Sequence, residues 1–214
     1  AGFKAMSTAN LPRPAVENPR AGAFAAELYV GNGDSLSVQV GPSGEHWQPD
    51  LVWIKNRDNT GSGQVITDSA RGAEKSVFTN NDAPEDDQSV AGYVSSFDAE
   101  GFTVTKGSSS ASRVNENTKR HVSYSWKEGA AQGFDIVLYT GDGADDRSIP
   151  HALGVVPDFV LIKGRDGSSR KWIGGHSALD MASGHEFFKI DEDNQAVLSN
   201  EVVWSDNAWT ASDV

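Results

Sequence analysis

The chain has 214 residues, 37% of them hydrophobic and 22% charged, with 22 Gly, 8 Pro, 6 Trp and no Cys. The net charge of −12 repels a phosphate backbone and argues against nucleic-acid binding. Without a thiol there is no disulfide framework, Cys-based zinc site or thiolate nucleophile. The longest apolar runs, Leu51–Ile54 and Phe159–Ile162, fall far short of the roughly 20 residues that a membrane helix needs.

Residues 1–22 read as an extended leader, because Pro12, Pro14 and Pro19 remove backbone donors and push the residues before them out of helical geometry. This leader carries three basic residues against one acidic, a balance of +2, whereas residues 23–131 balance at −6 and residues 132–214 at −8. Beyond it come short segments rich in Val, Ile, Phe, Tyr and Trp, punctuated by Gly, Asn and Asp, which predict strands joined by tight turns. In chain order these are Ala25–Val30, Ser35–Val40, Asp50–Asn56, Gln64–Thr67, Ser76–Thr79, Phe102–Lys106 and His121–Trp126. A second series follows: Phe134–Thr140, Asp158–Lys163, Lys171–Gly174, Glu186–Ile190, Ala196–Leu198 and Val202–Trp204. No helical pattern separates them, so the fold class expected is all-β with β-sandwich architecture. The run Leu51-Val52-Trp53-Ile54 does not alternate, which predicts a strand covered on both faces.

Internal repetition organises the chain. Tyr29-Val30-Gly31-Asn32-Gly33 returns as Tyr139-Thr140-Gly141-Asp142-Gly143, and Pro49-Asp50-Leu51-Val52-Trp53-Ile54-Lys55-Asn56-Arg57-Asp58 as Pro157-Asp158-Phe159-Val160-Leu161-Ile162-Lys163-Gly164-Arg165-Asp166. Ser69-Ala70 returns in register as Ser177-Ala178. Two tandem β-sandwich-like repeats are therefore expected, 23–131 and 132–214, each with its own core. The second lacks counterparts of the last two strands of the first, so it is read as incomplete at its C-terminus, with a sheet edge that a partner must cover. In the Gly-Asn/Asp-Gly pieces the glycines are expected to supply positive φ for a tight bend. In the Pro-Asp-apolar-Ile-Lys piece the proline sets the start of the strand and the lysine snorkels at the rim.

These motifs, with Ser96–Thr103 (Ser-Phe-Asp-x-x-Gly-Phe-Thr) and the ending Val114-Asn115-x-Asn117 … Val122-x-x-x-Trp126-Lys127, resemble a duplicated domain of bacteriophage virion proteins, tail fibres or tail appendages. The resemblance runs from about Tyr29 to Val214. The leader Gly2–Pro12 is similar to the segment that follows a lectin-like sandwich in such proteins, which implies that this chain is part of a larger polypeptide. His121 and Ser125 stand where the family more often has an aromatic and a Cys. The resemblance implies a location in the virion and a structural or host-recognition role, with no catalytic residue to carry over. The partners it implies are other virion proteins, further copies of this chain with a trimer favoured, and a bacterial surface glycan or protein receptor.

No catalytic, cofactor-binding or metal-ligating residue is assigned, and no cofactor is expected. Gly175-His176-Ser177-Ala178-Leu179-Asp180 gathers a His, a Ser and an Asp, but a nucleophile elbow needs Gly-x-Ser-x-Gly between a strand and a helix. The first repeat has Asp68 in place of His176, so the segment reads as a polar turn. Asp142, Asp145 and Asp146, and Asp191, Glu192 and Asp193, are carboxylate clusters without EF-hand spacing. His46, His121, His151, His176 and His185 lack zinc-site spacing. Trp53 and Trp126 are expected in the core, and Trp47, Trp172, Trp204 and Trp209 partly exposed, where they would pack at subunit contacts or stack on sugars. The loops Gly107–Asn117 and Asn80–Ser89 are where recognition would sit on a rigid sandwich. The readings that compete with a tail fibre are a capsid decoration protein or head fibre, and a carbohydrate-binding module or glycan depolymerase. A depolymerase needs two convergent carboxylates, and none pairs recognisably in the sequence.

Overall fold

The computed structural model describes residues 22–87, 89–142, 147–166, 171–178, 186–190, 197–198, 202–204 and 208–211; of 186, 187 and 197 onward it describes the backbone alone. The leader at 1–21 lies outside the described residues. Among the described residues there are fifteen strands and no helix: β1 (Phe24–Val30), β2 (Ser35–Gln39), β3 (Leu51–Asn56), β4 (Val65–Asp68), β5 (Val77–Phe78), β6 (Tyr93–Asp98), β7 (Gly101–Thr105), β8 (Arg120–Trp126), β9 (Arg147–Pro150), β10 (Phe159–Lys163), β11 (Trp172–His176), β12 (Glu186–Phe187), β13 (Val197–Leu198), β14 (Val202–Trp204) and β15 (Ala208–Ala211). The fold is all-β, built of several antiparallel sheets.

A five-stranded sheet ordered β1-β8-β3-β4-β5 faces a three-stranded sheet ordered β2-β7-β6. One core lies between them: Val52 and Ile54 of β3, Val65 of β4 and Phe78 of β5 meet Val38 of β2, Val94 of β6 and Phe102 and Val104 of β7. Strand β2 shows how sequence sets this geometry, with Leu36 and Val38 inward and Ser35, Ser37 and Gln39 outward. Burying such side chains is the main stabilising contribution, about 1.5–3 kcal/mol for each fully buried large aliphatic or aromatic residue.

Strands β1 and β8 reverse that rule. β1 turns Ala25, Glu27 and Tyr29 inward and Phe24, Ala26, Leu28 and Val30 outward. β8, its antiparallel neighbour, buries His121, Ser123 and Ser125 and turns Val122, Tyr124 and Trp126 to the outer face. Two inward bonds pin the register: Glu27 Oε1 accepts the Gly41 amide at 3.0 Å, and the Tyr29 hydroxyl donates to the Val114 carbonyl at 2.6 Å. A one-residue slip would break both.

Both faces of β3 are covered, as its unbroken apolar run requires. Val52 and Ile54 belong to the inner core, while Leu51 and Trp53 pack outward with Ile66 and Val77 against Trp172, Leu161 and Ile190. The covering piece is the β10-β11 hairpin, with Phe188 bridged to Gly174 by two main-chain bonds of 2.7 and 2.8 Å. A third cluster gathers Val137, Tyr139 and Ile162 around buried Ile149, and β9 joins β15 and β14 in a separate sheet.

Some expectations need correction. Phe134–Thr140 forms no strand among the described residues; only Phe134 bridges to Gly129. The corresponding β1 is held in place by β8, and no described strand pairs with 135–140 in that way. β6, β9 and β15 had no sequence-based expectation: Tyr93–Asp98 carries two serines and a bulge between Val94 and Ser96, which blurs its alternation. The tryptophans are reversed. Trp47 and Trp172 are buried, whereas Trp53 and Trp126 on the outer sheet face are half-buried. Trp47 folds over Gly41, where an added Cβ would stand 2.6 Å from its indole nitrogen, so a turn residue completes the core. The side chains of Trp204 and Trp209 lie outside the described set.

Candidate functional site

A chain of charged residues forms where the first sheet meets the β10-β11 hairpin. β4 ends at Asp68, whose carboxylate accepts the Arg71 amide at 2.8 Å and the Arg71 Nε at 2.6 Å. Arg71 also donates to the Ile66 carbonyl at 3.2 Å and reaches Glu85 at 3.5 Å, with only 4% of its side chain exposed. Glu85 in turn receives Arg165 through Nε at 2.9 Å and Nη2 at 3.3 Å, and its amide donates to the Arg165 carbonyl at 2.9 Å. Burial works to raise the Glu85 pKa, but the Arg165 and Arg71 guanidiniums overcome it and hold the carboxyl below its ordinary value. The same loop takes Lys163 Nζ on the Asp82 carbonyl at 3.0 Å, and Trp172 Nε1 donates to the Phe78 carbonyl. Every group named here acts as a donor or acceptor that fixes one segment against another, and both carboxylates, Asp68 and Glu85, are engaged by guanidiniums. The Asn80–Ser89 loop, expected to be a recognition loop, is thus clamped against the second segment along 82–85.

The His176-Ser177-Asp180 cluster divides in the same spirit. Ser177 donates its hydroxyl to Asp158 at 2.8 Å and its amide to the Asp158 carbonyl at 2.8 Å. His176 Nδ1 accepts the Ala178 amide at 2.9 Å, so the imidazole is engaged within its own turn and the serine proton points elsewhere; Asp180 lies outside the described residues. The first segment holds the same pair 108 residues earlier, with Ser69 Oγ on Asp50 at 3.0 Å and its amide on the Asp50 carbonyl at 2.7 Å.

At the opposite end of the sandwich, Asn115 is fully buried and locks the loop Gly107–Asn117. Its amide donates to Asn32 Oδ1 at 2.8 Å and to the Asp34 carbonyl at 3.2 Å, while its Oδ1 accepts the Asn32 amide at 2.9 Å. Buried Asn56 adds bonds to the Ser112 carbonyl at 2.9 Å and to Glu116 at 2.7 Å. Arg120 brackets Asp58, and that hydrogen-bonded guanidinium holds the Asp58 carboxyl well below the usual carboxylate range.

Among the described residues no group of three His, Asp or Glu is placed to hold a metal ion. Asp142 faces Arg147 at 3.5 Å; Asp145, Asp146, Asp191, Glu192, Asp193 and His185 lie outside the described residues. His46 Nδ1 lies 3.1 Å from the Gly41 carbonyl, and His151 Nδ1 accepts the Leu153 amide at 3.3 Å.

Two constellations escaped the sequence reading. Glu128 and Asp135 stand seven residues apart across a turn; burial first, and the neighbouring Asp135 carboxyl second, push the Glu128 pKa up. Glu128 Oε1 also accepts the Ile136 amide at 3.3 Å, and Asp135 Oδ2 the Ala152 amide at 2.6 Å. The other constellation is the inward row of β8, where His121 Nε2, Ser123 Oγ and Ser125 Oγ are buried without a hydrogen-bond partner among the described residues. Alternating polar residues in an otherwise aromatic strand, His-Val-Ser-Tyr-Ser-Trp, are the signal for it, although it reads as an ordinary amphipathic strand facing the other way. The Arg71–Glu85–Arg165 chain leaves no such signal, since Arg57, the sequence counterpart of Arg165, is exposed.

A family model described as a domain of unknown function, DUF7483, matches residues 21–214. The chain belongs to that family. Neither the curated proteins nor the solved structures contain a match to this DUF7483 chain.

Proposed function

We propose that this DUF7483 chain is a non-enzymatic structural protein of the bacteriophage virion, a segment of a tail fibre or comparable appendage that contributes to host attachment. In this reading it is built from two tandem sandwich-like units, 23–131 and 132–214, on an extended leader, and it works with other virion proteins and further copies of itself, a trimer in the favoured form. The observation that carries it is the recurrence of the Asp50–Ser69 pair as Asp158–Ser177, with the same side-chain and main-chain bonds. What the repetition preserves is a turn lock, and the charged residues around it tie segments together rather than converging on a reacting atom. The motifs from Tyr29 onward that resemble phage appendage proteins supply the rest of the support.

Electron microscopy of particles labelled with antibody against this chain tests the proposal. Label at the tail tip or fibres is the expected outcome. Label on the head would move the chain to a capsid decoration or head fibre, and particles without label would overturn the virion role. Release of reducing ends from host polysaccharide by the purified chain would overturn the non-enzymatic part.

A further inference from the structure

We infer that the outer face of β1 and β8 is the surface through which copies of this chain associate. This inference rests on the assembly reading above and names its contact. Phe24, Leu28, Val30 and Tyr124 are 53%, 69%, 58% and 37% exposed, side by side on one sheet face. The exposure is not a slipped register, because Glu27 and Tyr29 are held inward by their bonds to Gly41 and Val114. Two adjacent strands thus turn Glu27, His121, Ser123 and Ser125 inward and a row of large apolar residues outward, the kind of contiguous exposed patch that marks an interaction surface. The patch is ordered by its own ring contacts, with Phe24 5.0 Å from Trp126 and 6.4 Å from Tyr124.

The patch continues directly into a covered one. Tyr124 meets Trp53 at 6.1 Å, and from Trp53 onward the same face, with Leu51, Ile66 and Val77, is packed against Trp172, Leu161 and Ile190. That covering hairpin carries the repeated sequence, Leu161 standing where β3 has Trp53. The molecule therefore already covers part of this face with strands of its own kind, and a second copy offers the same chemistry for the rest. Charge agrees. A chain of net charge −12 can approach another copy only over a surface poor in carboxylates, and the outward residues of β1 and β8 include none. Their one charge, Arg120, is bound to Asp58. Among the described residues β1 is also an edge strand without proline, outward lysine or bulge, the usual guards against strand pairing. The leader fits this edge less well, since Pro12, Pro14 and Pro19 lack donors for it.

The full chain, wild type and Leu28→Lys, is compared by light scattering during size exclusion over a concentration series, with circular dichroism to confirm that the fold is kept. Phe159→Lys, at an exposed apolar residue of the other segment, is the control. The wild type and control are expected to associate, and Leu28→Lys to do so on the order of 100-fold more weakly, because a lone ammonium would be buried. An associating Leu28→Lys would overturn the assignment of this face while leaving assembly intact. A wild-type chain monomeric at every concentration would overturn assembly and the inference together. Thiol labelling of Leu28→Cys, the sole cysteine in that chain, identifies the alternative occupant: shielding in a monomer would assign the face to residues 1–21 and overturn self-association.

Discussion

Gly31 and His121 show how single positions carry the fold. Gly31 has ordinary φ, contrary to the expectation that both glycines of its turn need the left-handed region; only Gly33 does, at 75°. What Gly31 provides is closeness: a Cβ there would stand 2.2 Å from the Glu116 carbonyl oxygen. Gly31→Ala is therefore expected to cost about 2–3 kcal/mol in chemical denaturation, because backbone and not a flexible side chain would have to move. His121 is fully buried and stacks on Tyr29 at 5.0 Å, with Nδ1 3.1 Å from the Lys119 carbonyl. Burial lowers its pKa below the ordinary 6.5, against smaller opposing effects of the Lys119 carbonyl, Glu116 and Asp58. Below pH 6.5 the unfolded chain then binds more protons than the folded one, so this contribution is full above pH 6.5 and is lost as the pH falls through the folded value. His121→Phe keeps the stacking and removes the proton. Denaturation midpoints at pH 7.5 and 5 should show the variant gaining on the wild type as the pH falls; parallel curves would refute it.

At the scale of elements, alternation located the strands but not always the direction they face. Leu36 and Val38 of β2 point inward as their pattern demands, whereas Phe24, Leu28 and Val30 of β1 point outward. A period of two specifies which residues share a face and is silent about which face is buried. The choice is made by partners 14 and 85 residues distant, Gly41 and Val114, which no local window contains. The Asn80–Ser89 loop teaches the same point: it reads as solvated surface, yet Glu85 joins Arg71 to Arg165. Glu85→Ala should cost about 1–3 kcal/mol, since it strips one acceptor from a buried guanidinium. Hydrogen exchange should accelerate first in Phe159–Lys163 and Trp172–His176, leaving the β1-β8 ladder protected.

For the molecule as a whole, the hydrophobic clusters are unequal. The core between the first two sheets draws on six strands of residues 35–104, while the cluster around Ile149 has a single buried hydrophobic residue among those described. The second segment gains much of its burial through Trp172, packed on Ile66 and Val77. A fragment of residues 22–131 is accordingly expected to fold alone with reduced solubility, its Leu51 and Trp53 uncovered, and a fragment of residues 132–214 to lack cooperative unfolding by circular dichroism. A cooperative transition in the second fragment would show that the hairpin needs no support.

By itself the sequence determined that this chain is all-β, where most of its strands lie, that β3 is covered on both faces, and that Ser177 belongs to a turn. Each of these follows from near neighbours: turn residues, β-branched runs and an unbroken apolar stretch act within a few positions. Tertiary structure decided which way β1 and β8 face, which tryptophans are buried, and which charges join. Those outcomes draw on contacts far apart in the chain, such as Glu27 with Gly41, 14 positions away, and Trp172 with Phe78, 94 away, and burial energy is assigned only once those surfaces meet.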